Sequence, residues 1–146
     1  MALFGNRARS FFSDLSLETL DIVDEFYSTD AHFCDPLVDI RGVERIKSYY
    51  RSILEHTLEL RFAFDKSLEE GDSLALPWIM HLRSKELRGG NPIVVSGISH
   101  LTFDEVSSKA TYHRDYFDLG QLAYEHVPLV GTAVRHIKSK LSHFRR

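Results

Sequence analysis

The chain has 146 residues, of which 43% are hydrophobic and 27% charged, with a net charge of −3. These values predict one globular domain over residues 1–146 and give no basic surface for nucleic acid. The single cysteine, Cys34, excludes a disulfide within the chain and favours a reducing, cytoplasmic location. No apolar run approaches the roughly 20 residues of a membrane span, and the N-terminal one is too short for a signal peptide.

The first predicted elements alternate between helix and strand. Residues 16–27 place apolar side chains at helical spacing, and Ser16 can cap the start of that helix. Residues 31–35 form a short predicted strand that ends before Pro36, a residue suited to a strand end. Residues 42–56 then carry a single apolar stripe and are predicted to form an amphipathic helix.

Four longer segments with strand character follow the second predicted helix. They are residues 58–69, 73–87, 92–103 and 109–117. Asp118 is expected to cap the next helix, with Gln121 completing a capping box, and Pro128 is expected to open a final helix. The final helix carries an apolar stripe of Val130, Val134, Ile137, Leu141 and Phe144.

This order of elements predicts an α+β fold, in which helices cover one side of an antiparallel sheet. A strongly curved sheet, with the N-terminal helices over its concave face and a helix at its C-terminus, would enclose a cavity. The pattern of strands and helices predicts these layers, whereas it does not determine how strongly the sheet curves.

Three local patterns resemble the nuclear transport factor 2-like superfamily, and most closely its SnoaL-like cyclases, ketosteroid isomerases and limonene epoxide hydrolases. They are TDAHFCDPL, which ends at Leu37 and precedes a helix opened by Gly42, GISHLTFDE at 97–105, and HRDYFDLG at 113–120. The order of elements matches the superfamily over nearly the whole chain. The resemblance implies a cone-like α+β barrel, closed by helices and open at one end.

The resemblance to ketosteroid isomerases implies a role for Asp35, which falls at the position of their general base. Those enzymes also use two acidic hydrogen-bond donors at the developing oxyanion. Phe11 and Ser99 occupy the matching positions here. Phenylalanine donates no hydrogen bond and serine is a weaker donor, so the complete isomerase set is not expected.

The resemblance to limonene epoxide hydrolases and SnoaL-like cyclases implies an acid/base role for Asp115. The hydrolases use an Asp–Arg–Asp set, and Trp78 and Met80 stand where the arginine and the other aspartate are expected. Half of that set is absent, so epoxide hydrolysis by that mechanism is not expected. The cyclase resemblance requires only an acid/base aspartate in the cavity, and Asp115 meets it.

Strand alternation around an inward-facing Asp115 predicts a mostly apolar cavity. The expected catalytic residues are Asp115, Asp35 and His113, and the expected ligand-binding residues are Phe33, Trp78, Met80, Ser99 and Phe117. Such a lining suits a small, largely apolar molecule with a carbonyl or hydroxyl group. The expected function is an acid/base isomerase, cyclase or hydrolase that uses no cofactor and no metal.

Two alternatives remain open from the residues alone. Asp115 can instead pair structurally with His113, and Asp35 can instead bond the local backbone beside Pro36. In that case the chain is a non-catalytic ligand-binding domain or a dimeric scaffold. No histidine pair has metal-binding spacing.

The outward residues of the later strands predict a homodimer, because they are richer in aromatic and aliphatic groups than a face that meets only water. The set is Ile79, His81, Ile98, His100, Tyr112, Arg114 and Tyr116. The basic C-terminal helix could lie on an anionic membrane, but an ordinary packed helix with a solvated face is favoured.

Overall fold

The structure is a computed structural model that describes residues 3–122 and 128–142, with the backbone alone over 128–130. The described helices are α1 (Leu3–Asp14), α2 (Ile22–Phe26), α3 (Val43–Glu55), α4 (Leu119–Leu122) and α5 (Pro128–Leu141). The strands are β1 (Tyr27–Cys34), β2 (Asp39–Arg41), β3 (Thr57–Phe64), β4 (Leu68–Glu70), β5 (Ser73–Ser84), β6 (Ile93–Phe103) and β7 (Ala110–Phe117). No helix within these ranges is long and apolar enough to cross a membrane.

The described strands form one open, mixed sheet of seven strands in the order β2-β1-β7-β6-β5-β3, with β4 paired to β5. All neighbours are antiparallel except β1 and β7, which run parallel. Register shifts interrupt the β1–β7, β3–β5 and β6–β7 pairs, and such irregularities bend strands. The sheet curves around a cavity that α1 and α3 help to line. The predicted α+β class is confirmed.

Helix α1 was not predicted from the sequence, although its apolar side chains recur at helical spacing. Phe4, Ala8, Phe11 and Phe12 are all buried in the core. Glu69 on β4 caps its first turn, because the Glu69 carboxylate accepts hydrogen bonds from the backbone N–H groups of Phe4 and Gly5. The cap lies far away in sequence, so no local signal marked where the helix begins.

The continuous helix predicted over residues 16–27 is wrong in its extent. A 3₁₀ turn at Leu17–Thr19 precedes the short α2, and Tyr27 already belongs to β1. Tyr27 pairs with Ala110 of β7 and is almost fully buried, so pairing with a distant strand overrides the helical spacing. The strand predicted at residues 31–35 therefore begins four residues earlier.

The second predicted helix and the long strands lie close to their predicted positions. Helix α3 begins after Gly42, whose φ of 95° suits glycine at this entry. The segment predicted as a strand over 58–69 is divided into β3 and β4. The three later strands differ from prediction by one to three residues at their ends.

The C-terminal helices begin close to where the sequence predicts. The Asp118 carboxylate accepts a hydrogen bond from the N–H of Gly120 in α4, and α5 begins at Pro128. The Gln121 side chain accepts a bond from the backbone N–H of Ser96 on β6. On the predicted apolar stripe of α5, Val134 is half-buried, whereas Ile137 is 57% and Leu141 75% exposed. The Val130 side chain and Phe144 lie outside the described residues.

Candidate functional site

A cavity of about 410 Å³ lies on the concave side of the sheet. Seven of the eight predicted site residues line it: Phe33, Asp35, Trp78, Met80, Ser99, Asp115 and Phe117. Residues that the sequence did not point to as site residues also line it, including Phe12 of α1, Tyr49 and Tyr50 of α3, and Phe62 of β3. The two tyrosines lie on the apolar side of the amphipathic α3, which was the only sequence signal for them.

Asp115 is held at the cavity surface through one of its two carboxylate oxygens. The Ser99 hydroxyl donates to Oδ1 over 2.5 Å, and His113 Nε2 lies 2.6 Å from the same oxygen. The Asp115 side chain keeps 18% of its surface exposed. No donor from the described part of the chain lies on Oδ2, which leaves that oxygen available to a molecule in the cavity.

His113 is fully buried and does not contribute to the cavity lining. Strand alternation predicted that this side chain would line the cavity, and that prediction is wrong. The imidazole packs between Phe33 and Phe12, with ring centroids 4.8 and 5.5 Å away. These rings cover the imidazole. It therefore lies behind Asp115 as a support, and it is connected to the cavity through the Asp115 carboxylate.

Two tyrosines, the buried Tyr27 and the half-buried Tyr50, continue the hydrogen-bond network behind His113. The Tyr27 hydroxyl lies 2.6 Å from His113 Nδ1 and 2.8 Å from the Tyr50 hydroxyl. Burial raises the pKa of both tyrosines, so both hydroxyls keep their protons. The bonds are satisfied when Tyr50 donates to Tyr27 and Tyr27 donates to Nδ1, which leaves Nε2–H to donate to Asp115.

Ser99 connects Asp115 to the only tryptophan of the chain. The Trp78 indole N–H donates to Ser99 Oγ over 2.9 Å, and the serine hydroxyl then donates to Asp115. Ser99 is therefore committed to orienting Asp115 and does not offer its proton to an oxyanion. Phe11, at the other donor position implied by the isomerase resemblance, stacks on Phe26 in the core at 4.1 Å between ring centroids.

Asp35 borders the cavity. It also makes the hydrogen bonds to the local backbone that the sequence offered as the structural alternative for this residue. Its Oδ1 accepts the backbone N–H groups of Leu37 and Val38, at 2.7 and 2.9 Å. Its Oδ2 accepts the Tyr49 hydroxyl at 2.6 Å. Both oxygens are thus engaged, in contrast to Asp115, so Asp35 is the less available of the two bases.

The mouth of the cavity is formed by exposed residues of α3 and the neighbouring loops. Leu37 and Ile53 are exposed apolar residues of the lining, and His56 Nε2 lies 3.5 Å from Glu86 Oε1 beside them. Because these groups meet solvent while Ser99 and Trp78 are buried, a ligand would enter between Leu37, Ile53 and Glu86 and reach Asp115 inside.

Two other features carry no comparable chemistry. A surface groove of about 420 Å³ between α1 and α2 is lined by Arg7, Asp14 and Glu25 among others, and by none of the predicted site residues. Within the described ranges, no group of three or more His, Cys, Asp or Glu side chains could hold a metal ion. Cys34 is buried and lies outside the cavity lining.

A family model described as the SnoaL-like domain matches residues 8–113. The chain belongs to the SnoaL-like domain family. The resemblance inferred from the three local patterns is therefore confirmed. Among curated proteins, none matches this SnoaL-like chain.

Solved structures share the fold of this SnoaL-like domain at low sequence identity. A proposed SnoaL-like polyketide cyclase from Shewanella denitrificans OS-217 has a TM-score of 0.73 at 20% identity, over 84% of this chain and 95% of that one. An LEH-like epoxide hydrolase from M. tuberculosis has a TM-score of 0.65 at 19% identity, over 78% and 81%. A hypothetical protein of ketosteroid isomerase-like fold from Catenulispora acidiphila DSM 44928, in complex with trimethylamine, has a TM-score of 0.71 at 13% identity, over 86% and 92%.

Proposed function

We propose that this SnoaL-like domain is an enzyme that removes and returns a proton next to the carbonyl group of a small, largely apolar molecule. Asp115 is the general acid/base. The observation that carries this proposal is the position of its carboxylate, which is held through Oδ1 by Ser99 and His113 while it borders an apolar cavity. A base whose position is fixed before substrate binds needs no reorganisation during proton transfer.

The proton moves to Oδ2, the oxygen on which no donor from residues 3–122 or 128–142 lies. A carbon acid bound in the cavity gives its proton to Asp115 Oδ2, and the protonated carboxyl returns it to another carbon of the same molecule. His113 Nε2–H and the Ser99 hydroxyl hold Oδ1 throughout, so the carboxyl group keeps its orientation in both states. His113 is thus a positioning residue, and Asp115 is the group that touches substrate.

Isomerisation or cyclisation fits the cavity better than epoxide hydrolysis. Trp78 and Met80 stand where the epoxide hydrolases need an arginine and a second aspartate. The indole N–H of Trp78 already donates a hydrogen bond to Ser99. Hydrolysis also requires an activated water beside the base. A carbon acid needs one base and an apolar surrounding, which is what Asp115 and the aromatic lining provide.

The test is deuterium incorporation into small ketones in D₂O, followed by proton NMR with catalytic amounts of protein. The wild-type chain should exchange α-protons of at least one apolar ketone faster than buffer does. Asp115→Asn keeps the shape and still accepts bonds from Ser99 and His113, but it cannot take up a proton. We expect that variant to lose about 10²-fold or more of the exchange rate.

The non-catalytic alternative is an outcome of the same experiment. Ketones that bind in the cavity, as judged by shifts of the Trp78 signals, and yet exchange no faster than in buffer would make the domain a ligand-binding protein. For Asp35, a non-catalytic role is favoured because both of its oxygens already accept hydrogen bonds from protein donors.

A further inference from the structure

We propose that the molecule bound in this cavity is an organic cation, an alkylated amine whose substituents pack on the aromatic lining and whose charge is balanced by Asp35 and Asp115. This inference rests on the proposed function for the location of the site and deepens it by assigning the ligand's charge. A carbonyl compound that also carries such an amine would fit both the proposed proton transfer and the proposed positive charge.

The charges that line the cavity have one sign. Asp35 and Asp115 border the interior and Glu86 borders the mouth. Among the described residues of the lining there is no lysine and no arginine. His56 at the mouth already faces Glu86. An anionic ligand would therefore meet repulsion along the whole path, whereas a cation would meet attraction.

The two interior carboxylates lie close together in the fold, because Asp35 directly follows the last residue of β1 and Asp115 lies on the neighbouring β7. β1 and β7 run parallel with Phe33 opposite His113 and Cys34 opposite Arg114. Asp35 and Asp115 are the next residues along the two segments after this last pair, and both border the same cavity. Like charges that border one apolar cavity repel one another, and a cation bound near both carboxylates relieves that repulsion.

Hydrogen bonds satisfy these carboxylates, but no lysine or arginine in the described part of the chain bonds to either one. The donors on Asp35 are backbone N–H groups and the Tyr49 hydroxyl. The donors on Asp115 are the Ser99 hydroxyl and His113 Nε2–H. The negative charge therefore remains for a ligand to balance.

The tyrosines on α3 report the negative potential. Burial and the hydrogen bond to Asp35 raise the pKa of Tyr49, and the charges of Asp35 and Asp115 raise it further. Burial raises the pKa of Tyr50, and both carboxylates again contribute in the same direction. Both hydroxyls thus lie in the field of the same two carboxylates.

The aromatic lining suits the apolar substituents of such a cation. Among the described residues, seven phenylalanine, tyrosine and tryptophan rings border the cavity: Phe12, Phe33, Tyr49, Tyr50, Phe62, Trp78 and Phe117. Phe62 meets Trp78 nearly at right angles at 5.7 Å between centroids, and Trp78 lies 6.3 Å from Phe117. Rings set at different angles form a concave surface, and alkylated ammonium groups bind such surfaces through cation–π attraction, most strongly to tryptophan.

The test compares two probes that share shape and differ in charge, namely choline and 3,3-dimethylbutan-1-ol. Trp78 is the only tryptophan of the chain, so its fluorescence reports occupancy of the cavity directly, with calorimetry as a second readout. We expect choline to bind at least about tenfold more tightly than the neutral alcohol at low ionic strength. Asp35→Asn and Asp115→Asn should each reduce the preference for choline over the alcohol.

Glu105→Gln is the matched control, because it removes the same charge from an exposed turn that does not contribute to the lining. It should keep the choline preference of the wild-type chain. Equal or tighter binding of the alcohol, preference for the anionic analogue 3,3-dimethylbutanoate, or no binding of choline at millimolar concentration would overturn the inference. Ketone exchange without choline binding refutes only the charge assignment, whereas choline binding without any exchange refutes only the proposed catalysis.

Discussion

Gly97 is the residue that fixes where the Trp78 indole can lie. A Cβ atom at position 97 would come within 2.3 Å of Trp78 Cη2 and within 2.6 Å of Cζ2. Those atoms belong to the rigid indole that donates to Ser99, and Ser99 in turn holds Asp115. The absence of a side chain at position 97 of β6 thus bears on the position of the Asp115 carboxylate through two hydrogen bonds.

Gly97→Ala tests this coupling. The indole must move away from the new methyl group, which breaks its bond to Ser99 and strains the core by about 1–3 kcal/mol. The variant should unfold at lower denaturant concentration and show a shifted Trp78 emission maximum. Ser96→Ala, on the exposed side of the same strand, is the control and should leave both unchanged. An unchanged emission spectrum and stability in Gly97→Ala would refute the coupling.

At the residue level the sequence predicted seven of the residues that line the cavity, because strand alternation is a local property. Once Asp115 was taken as inward, its neighbours Ser99, Trp78 and Phe117 followed by parity. The sequence could not predict that His113 is covered by Phe12 and Phe33, because those rings come from distant elements. The role of Tyr27 was missed for the same reason.

Helix α5 is joined to the end of β7 by an ion pair between Lys138 and Asp118. The hydrogen bond from Lys138 lowers the pKa of Asp118, and the backbone N–H of Gly120 acts in the same direction. A carboxyl whose pKa is lowered by folding stabilises the folded state above its unfolded pKa of about 4. That contribution is lost as the pH falls through the lower, folded-state pKa.

Lys138→Met removes this contribution. We expect a loss of about 0.2–1 kcal/mol in the free energy of unfolding at pH 7, since both side chains are partly exposed and screened by solvent. The difference from wild type should shrink as the pH falls below about 4. Urea unfolding at several pH values measures this difference in the free energy of unfolding. Lys138→Arg, which keeps the positive charge, is the control. A difference that does not shrink at low pH would contradict the linkage.

At the level of elements, prediction succeeded where the signals are local. Helix α3 has a strong apolar stripe and a glycine at its start, and β5, β6 and β7 alternate over eight residues or more. The start of α1, capped by Glu69, and the parallel pairing of β1 with β7 depend on contacts between distant segments. The sequence pattern contains no information about those contacts.

The outer face of the sheet remains apolar and partly exposed in the single chain. Ile79 and Tyr116 are 43% and 48% exposed, and the Arg114 guanidinium lies 4.9 Å above the Tyr116 ring. Val94 adds a third exposed apolar group on β6. A patch of aromatic, aliphatic and arginine side chains is the composition of protein interfaces, and we propose that two copies pair through it.

Replacing Tyr112 and Tyr116 together with glutamate should abolish this dimer, because the pairing would bury unpaired charge at its centre. Analytical ultracentrifugation at micromolar concentration should find the wild-type chain as a dimer and the double variant as a monomer or as insoluble protein. Val106→Glu, in a turn and 97% exposed, should remain dimeric. A wild-type chain that sediments as a monomer would refute the proposal.

At the scale of the whole cavity, we propose that Asp115 is the one catalytic base. The second carboxylate, Asp35, already accepts hydrogen bonds from the protein on both of its oxygens. The most direct measurement is the rate of deuterium exchange into a bound ketone for wild type, Asp115→Asn and Asp35→Asn, measured side by side under saturating ketone. The claim predicts a loss of about 10²-fold or more for Asp115→Asn and a loss of less than about tenfold for Asp35→Asn. Exchange that survives in Asp115→Asn, or that is lost only in Asp35→Asn, would contradict it.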